Sequence, residues 1–227
     1  MKPEINGLAQ FVRKISFFSN LDDKSISAIV TNLQVREFFS GEVVIWEGET
    51  AKGLYLVKKG WLKVTKTSST GREMILNILG QYDSFNLISI FTGSNNPANV
   101  LALENSEVLF LEKEIILKIL NDSPEFLSSL LFQFANKIQT LTQMVGSLSL
   151  KTVESRLAFL LLKESPTNIF HREKWLTQDE LAALIGTVPD VLSRVLRGFV
   201  EAGLIEFDRK KIKILDRSSL QEKADTN

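Results

Sequence analysis

The 227-residue chain contains no cysteine and a single histidine, His171. Without thiols there can be no disulfide, thiolate nucleophile, iron–sulfur cluster or cysteine zinc site. One histidine per chain cannot supply a histidine pair for a metal. No run approaches the roughly 20 apolar residues that span a bilayer. The opening MKPEINGLAQFVRKISFF is too mixed in polarity for a secretory leader. A cytoplasmic protein without a membrane partner is therefore expected. An excess of one charge is also missing: 27 Lys+Arg face 27 Asp+Glu. Residues 151–227 hold 13 basic and 12 acidic side chains. Any nucleic-acid function must therefore rest on a motif and its placement, not on a bulk basic field. No nucleophile–base pair stands out either, so an enzyme is not expected.

Hydrophobic residues make up 44% of the chain, enough for a buried core. Residues 22–33, DDKSISAIVTNL, predict a helix capped by Asp22, with Ile26, Ile29, Val30 and Leu33 on one face. From 35 to 112 the pattern changes to short apolar and β-branched segments: VREFF, EVVIW, GLYLVK, WLKVTK, EMILNIL, NVLAL and EVLFLE. Glycines at 41, 48, 53, 60, 71 and 80 punctuate them. Short strands at this spacing predict an antiparallel sandwich or barrel, with TSSTG (67–71) as a hairpin loop.

A long helix should follow, with Ser123 as cap and Pro124 in its first turn. Leu127, Leu131, Phe134, Ile138, Leu141, Val145 and Leu148 recur at spacings of 4, 3, 4, 3, 4 and 3. This strict 3.5-residue register predicts a seam between two parallel copies. The other reading is an amphipathic helix lying on its own barrel, although such helices usually carry a broader stripe. A break is expected around Ser149. Residues 151–164 form a further helix, and a turn at Ser165-Pro166 follows it.

Residues 176–199, LTQDELAALIGTVPDVLSRVLRGF, carry the functional signal. Thr177 and Glu180 form a capping box. Gly186 suits a helix stop. A second helix starts near Pro189, with either Val188 before it or Thr187 as its cap. Helix, Gly-containing turn, helix is a DNA-reading unit whose second helix enters the major groove N-terminal end first. Asp190, Ser193 and Arg194 share one face of that helix. Arg can take both acceptors of a guanine edge, a carboxylate accepts from a cytosine amine, and Ser can touch base or phosphate. The bland alternative for Asp190 and Arg194 is a surface i,i+4 ion pair. EAGLIEFDRKKIKIL then predicts two short strands with a basic tip at 208–211. The expected DNA contacts are Thr177, Gln178, Asp190, Ser193, Arg194, Arg197, Arg209 and Lys210.

This order of parts resembles the Crp/Fnr family of bacterial transcription regulators. The resemblance spans about residues 15–217. It is carried by SGEVVIWEGETAKGLYLVKKGWLKV (40–64), TGREMILNILGQYDSF (70–85), ALENSEVLFL (102–111), ESRLAFLLL (154–162) and, most specifically, residues 176–207. It implies an α+β architecture: a jelly-roll, cupin-like antiparallel barrel of the cyclic-nucleotide-binding type over 1–122, a dimerisation helix over 123–149, and a winged helix-turn-helix over 150–227. It also implies a homodimer on palindromic double-stranded DNA, with TTGA-like half-sites, and RNA polymerase as a further partner. Asp190 stands where many members have Glu, and Pro189 where Arg is frequent.

The effector side departs from the family pattern. Nucleotide-binding members carry Phe-Gly-Glu and, about ten residues on, Arg-Ser or Arg-Ala. Here those places read Phe85-Asn86-Leu87 and Asn96-Pro97. The positions that meet the purine in cAMP-binding members fall on Leu141 and Thr142. The candidate effector lip is therefore Phe85, Asn86, Leu87, Asn96, Pro97 and Asn99, with Leu141 and Thr142. Cyclic AMP is not expected, because a buried phosphate needs a cation. The remaining alternatives are haem with nitric oxide, an apolar or weakly polar small molecule, and no ligand. A different class of function, an effector-binding or scaffolding module with an inactive DNA-binding part, also stays open.

Overall fold

The computed structural model describes residues 2–208 and 210–226, with side chains from residue 6 onward. The chain divides into two compact units, residues 1–66 with 76–138 and residues 67–75 with 139–227.

The first unit opens with helix α1 (Lys2–Arg13), a 3-10 turn (Ser16–Phe18) and α2 (Asp23–Asn32). Asp22 caps α2, its side chain accepting from Ser25 N at 2.8 Å. Eight strands follow: β1 (Gln34–Phe38), β2 (Val43–Ile45), β3 (Gly53–Lys59), β4 (Leu62–Thr67), β5 (Glu73–Leu79), β6 (Ser84–Phe85), β7 (Asn99–Ala102) and β8 (Ser106–Glu112). The short helix α3 (Leu87–Thr92) lies between β6 and β7, and α4 (Lys113–Asp122) follows β8. The strands form two four-stranded sheets, β1-β8-β3-β6 and β2-β7-β4-β5. All seven expected strand segments are present. The two-residue β6 carried no periodic signal and was not expected.

Strand β3 shows how the sheets are covered. Tyr55 and Val57 join Ile45, Leu62, Val100, Val108 and Phe110 in one core. Leu54 and Leu56 point the other way, into a cluster with Phe17, Phe18, Ile29, Ile116, Phe126 and Leu130. A strand buried on both faces reads as the unbroken run GLYLV, not as an alternation. Gly53 begins that run because its neighbours leave no room: an added Cβ would stand 2.7 Å from the Phe110 ring.

Helix α5 (Pro124–Leu150) carries two apolar faces. One holds Phe126 and Leu130, each 1% exposed, and packs on the Phe17–Phe18 cluster, with Phe18 and Phe126 stacked at 5.6 Å. The other leaves Leu127, Leu131, Ile138, Leu141 and Val145 exposed. Phe134 and Leu148, expected in the same register, are half-buried. The helix runs through Gly146 and Ser149 without a break. The break falls at Lys151, where Thr152 caps the next helix by accepting from Ser155 N.

The second unit contains α6 (Val153–Glu164), β9 (Ile169–His171), α7 (Gln178–Leu184), α8 (Pro189–Glu201), β10 (Ile205–Phe207), β11 (Lys211–Ile214) and α9 (Arg217–Asp225). Beyond the turn at Ser165-Pro166 the chain forms β9, so the wing sheet has three strands, in the order β10-β11-β9. Leu157, Leu161, Leu181, Leu192, Leu196, Phe199 and Ile212 close its core. Helix α9 is tied to α6, Ser155 Oγ donating to Ala224 O at 2.7 Å.

Candidate nucleic-acid interface and barrel lip

Thr177 caps α7, its hydroxyl accepting from Glu180 N at 3.2 Å. The helix ends in a left-handed turn at Gly186, φ 70°. There Gly186 N donates to Ala183 O, and Thr187 N to Ala182 O. A side chain at this φ is strained, so glycine fits the stop. Helix α8 then starts with Val188 in extended conformation before it and Pro189 in the first helical position. Thr187 is buried in the turn and does not cap α8. Proline there fixes φ and gives up only an N–H that has no helical acceptor.

The apolar side of α8 (Leu192, Leu196, Phe199) anchors the helix, and the opposite side faces outward. Asp190 and Arg194 are exposed, one turn apart, and form no ion pair with each other. Both are therefore available to an incoming partner. Ser193 is used differently. Its hydroxyl donates to Pro189 O at 2.8 Å and accepts from Gln178 Nε2 at 2.8 Å. The two residues join the start of α7 to the second turn of α8. Arg197 is exposed one turn further along.

In the wing, Asp208 Oδ1 accepts from Lys210 N at 2.7 Å and Lys211 N at 3.0 Å. These two N–H donors, with the neighbouring lysine charges, hold its carboxyl below the usual carboxylate range. The turn presents the exposed Lys210 at the hairpin tip. Arg209 lies outside the described residues. A pocket of about 350 Å³ in the second unit is lined by Arg72, Glu73, Asp179, Glu180, Thr187 and Pro189 among others. Its mixed charge offers no single ligand chemistry.

The barrel lip in the first unit is neutral. No charged residue occurs between Asp83 and Glu104. Phe85 and Leu87 belong to two different cores: Phe85 stacks on Tyr55 at 5.0 Å, and Leu87 joins the helical cluster. Asn86 adopts the left-handed conformation, φ 76°, and donates its amide to Gly53 O at 2.9 Å. Asn96 is 5% exposed. It fastens the lip to the loop after β2: Asn96 N donates to Glu49 O at 2.8 Å and Nδ2 to Trp46 O at 3.3 Å, while its own carbonyl accepts from Gly48 N. Asn99 Oδ1 accepts from Glu47 N. Pro97 is exposed, as are Leu141 and Thr142 on α5.

The side-chain amides of Asn86 and Asn96 donate to backbone and Asn99 Oδ1 accepts from it, Asn96 Oδ1 is buried without a hydrogen-bond partner, and none of the three supplies a positive charge. A cyclic phosphate therefore does not fit the lip residues. A cation that sequence reading missed stands behind Tyr55, which stacks on Phe85. Arg36 on β1 stands 3.7 Å over the Phe110 ring and donates to the Tyr55 hydroxyl at 3.5 Å. Burial pushes that Tyr55 phenol up. His171 lies on β9 of the second unit, so the barrel offers no histidine to haem iron.

Comparison with known proteins agrees with both units. Residues 35–123 match the family described as "Cyclic nucleotide-binding domain", and residues 155–223 the "Crp-like helix-turn-helix domain". The chain is 25% identical over 224 residues to the CRP-like cAMP-activated global transcriptional regulator of Mycobacterium tuberculosis, covering 95% of this chain and 99% of that protein. It is 26% identical over 208 residues to the cyclic AMP receptor protein of Thermus thermophilus, covering 90% and 94%. Among solved structures, a transcriptional regulator of the crp/fnr family from Eubacterium rectale superposes with a TM-score of 0.73 at 25% identity, covering 92% of this chain and 97% of that one. FixK2 from Bradyrhizobium japonicum shares the fold at TM-score 0.74 and 19% identity, covering 86% and 98%. Among the described residues no helix is long and apolar enough to cross a membrane.

Proposed function

Because the chain belongs to the Crp/Fnr family of DNA-binding transcription regulators, we propose that it acts as a homodimer on a palindromic site, reading each half-site with Asp190 and Arg194. The observation that carries this reading is the outward pair itself. Two chemically complementary side chains stand on the leading turns of α8 and spend neither charge on the other. Arg194 would take a guanine edge, Asp190 would accept from a cytosine amine, and TTGA-like half-sites fit this division of labour. Thr177, Gln178, Arg197 and the wing tip at Arg209 and Lys210 would position the unit on phosphate. Two-fold symmetry would come from the exposed register of α5, which has the spacing of a coiled-coil seam.

On the sensing side, the reading is that cyclic AMP is not the effector, although the named relatives from M. tuberculosis and T. thermophilus respond to or bind it. Asn96 and Leu87 stand where a cation and a ribose-binding acid would be needed. RNA polymerase is a further proposed partner, as expected of a regulator.

The test is a binding series on a palindrome of TTGA-like half-sites across salt. Arg194→Ala should lose about 1–3 kcal/mol on that site and relax preference at one base pair. Lys210→Ala should weaken all duplexes alike and reduce the salt slope by about 1. Equal binding of wild type to the palindrome and to a scrambled duplex would overturn the base-reading assignment.

A further inference from the structure

Helices α2, α6, α7 and α9 begin on a polar side chain that accepts from one of their free N–H groups: Asp22, Thr152, Thr177 and Asp216. The DNA-reading helix α8 does not. The residue before it is Val188, extended at φ −115° and ψ 156°, and its side chain makes no capping hydrogen bond. Valine is among the poorest residues at this position, and serine, threonine, asparagine or aspartate would each stabilise the helix start. The adjacent hydroxyl gives no relief, because Thr187 is buried in the turn.

Packing does not explain the valine either. Val188 is 39% exposed and stands outside the core that anchors α8. It borders the pocket of the second unit, where the lining is mainly polar. Pro189, exposed beside it, extends the apolar surface onto the first helical residue. The exposed Asp190 follows at once. The leading end of α8 therefore presents two apolar residues and then a carboxylate. A local rule broken at an exposed, leading position points to a function there.

We propose that Val188 is a specificity-determining residue that reads the C5-methyl group of a thymine in the half-site, beside the base contacts of Asp190 and Arg194. This rests on the base-reading assignment given above. The chemistry of the side chain selects the base. Valine neither donates nor accepts, so it gains nothing from a phosphate oxygen or from the polar edges of guanine, adenine and cytosine. In the major groove the apolar group that a base edge presents is the thymine methyl. Bringing it against the valine methyl groups removes apolar surface of both from water. A serine at 188 would cap α8 but would leave the thymine methyl against a polar group. The helix start thus forgoes stability for discrimination of thymine from the other bases. TTGA-like half-sites hold thymines for it to meet.

Synthetic duplexes test this with the full-length protein at fixed salt. Each thymine of the TTGA-like palindrome is replaced in turn by deoxyuridine, symmetrically in both half-sites. The replacement removes the methyl group and leaves every hydrogen-bonding group of the base in place. At one thymine position wild type should lose about fourfold in affinity per half-site, the worth of one methyl group taken out of apolar contact. Val188→Ser should bind the thymine and deoxyuridine duplexes about equally at that position, with a urea midpoint at or above that of wild type. The readout compares two duplexes on one protein, so a general weakening of the variant cancels. If Val188→Ser fails to fold, Val188→Thr, which keeps the branched shape and one methyl group, should show a smaller penalty than wild type. A penalty in the folded variant as large as in wild type overturns the inference. So does wild-type affinity unchanged by every replacement on a palindrome still preferred to a scrambled duplex. Either result leaves base reading by Asp190 and Arg194 standing, whereas equal binding of palindrome and scrambled duplex overturns both.

Discussion

The side-chain amide of Gln178 donates to the hydroxyl of Ser193 at 2.8 Å, across the turn that separates α7 from α8. Ser193 also donates to Pro189 O. The hydroxyl thus ties together the two helices of the DNA-reading unit before any duplex arrives. Preorganisation of this kind reduces the ordering cost of binding.

It follows that Ser193→Ala should act first on stability. Loss of one such hydrogen bond costs about 0.5–1.5 kcal/mol, read as a lower urea midpoint. Base preference should stay within a factor of about three of wild type, since Asp190 and Arg194 remain in place. A variant of unchanged stability with a switched base preference would show instead that Ser193 is a direct reader.

Asn86 is held at φ 76° and bonded to Gly53 O. Asn86→Gly keeps the backbone conformation and loses only the side-chain bond. Asn86→Ala loses the bond and also carries the left-handed penalty of about 1–2 kcal/mol. Thermal melts should therefore rank wild type above Gly and Gly above Ala. Equal melting of the two variants would show that the backbone conformation is relaxed by its surroundings.

Asp216 caps α9 by accepting from Ser219 side chain and backbone, and its carboxyl is lowered to about 2. An unfolded aspartate titrates near 3.9. The charged cap therefore contributes stability that is complete above about pH 5 and is lost as pH falls towards 2. The stability gap between wild type and Asp216→Ala should be constant from pH 5 to 7 and narrow steadily below pH 4. A gap as wide at pH 2.5 as at pH 6 would contradict the charged-cap account.

The sequence by itself determined the elements whose causes are local. Asp22 and Thr177 cap helices because an oxygen three residues ahead of a free N–H needs no distant partner. Gly186 stops a helix because of its own φ. The seven strand segments and the register of α5 are periodicities, and a period is visible in a few consecutive residues. Tertiary structure decided what the same side chains do once formed. It divided α5 into a face buried through Phe126 and Leu130 and a face left open. It put Phe85 and Leu87 into two cores. It gave Ser193 to Gln178, left Asp190 and Arg194 apart, brought β9 into the wing sheet, and set Arg36 over Phe110. Each of these depends on residues far apart in the chain, and packing density and hydrogen-bond satisfaction, not local period, select among the possible partners.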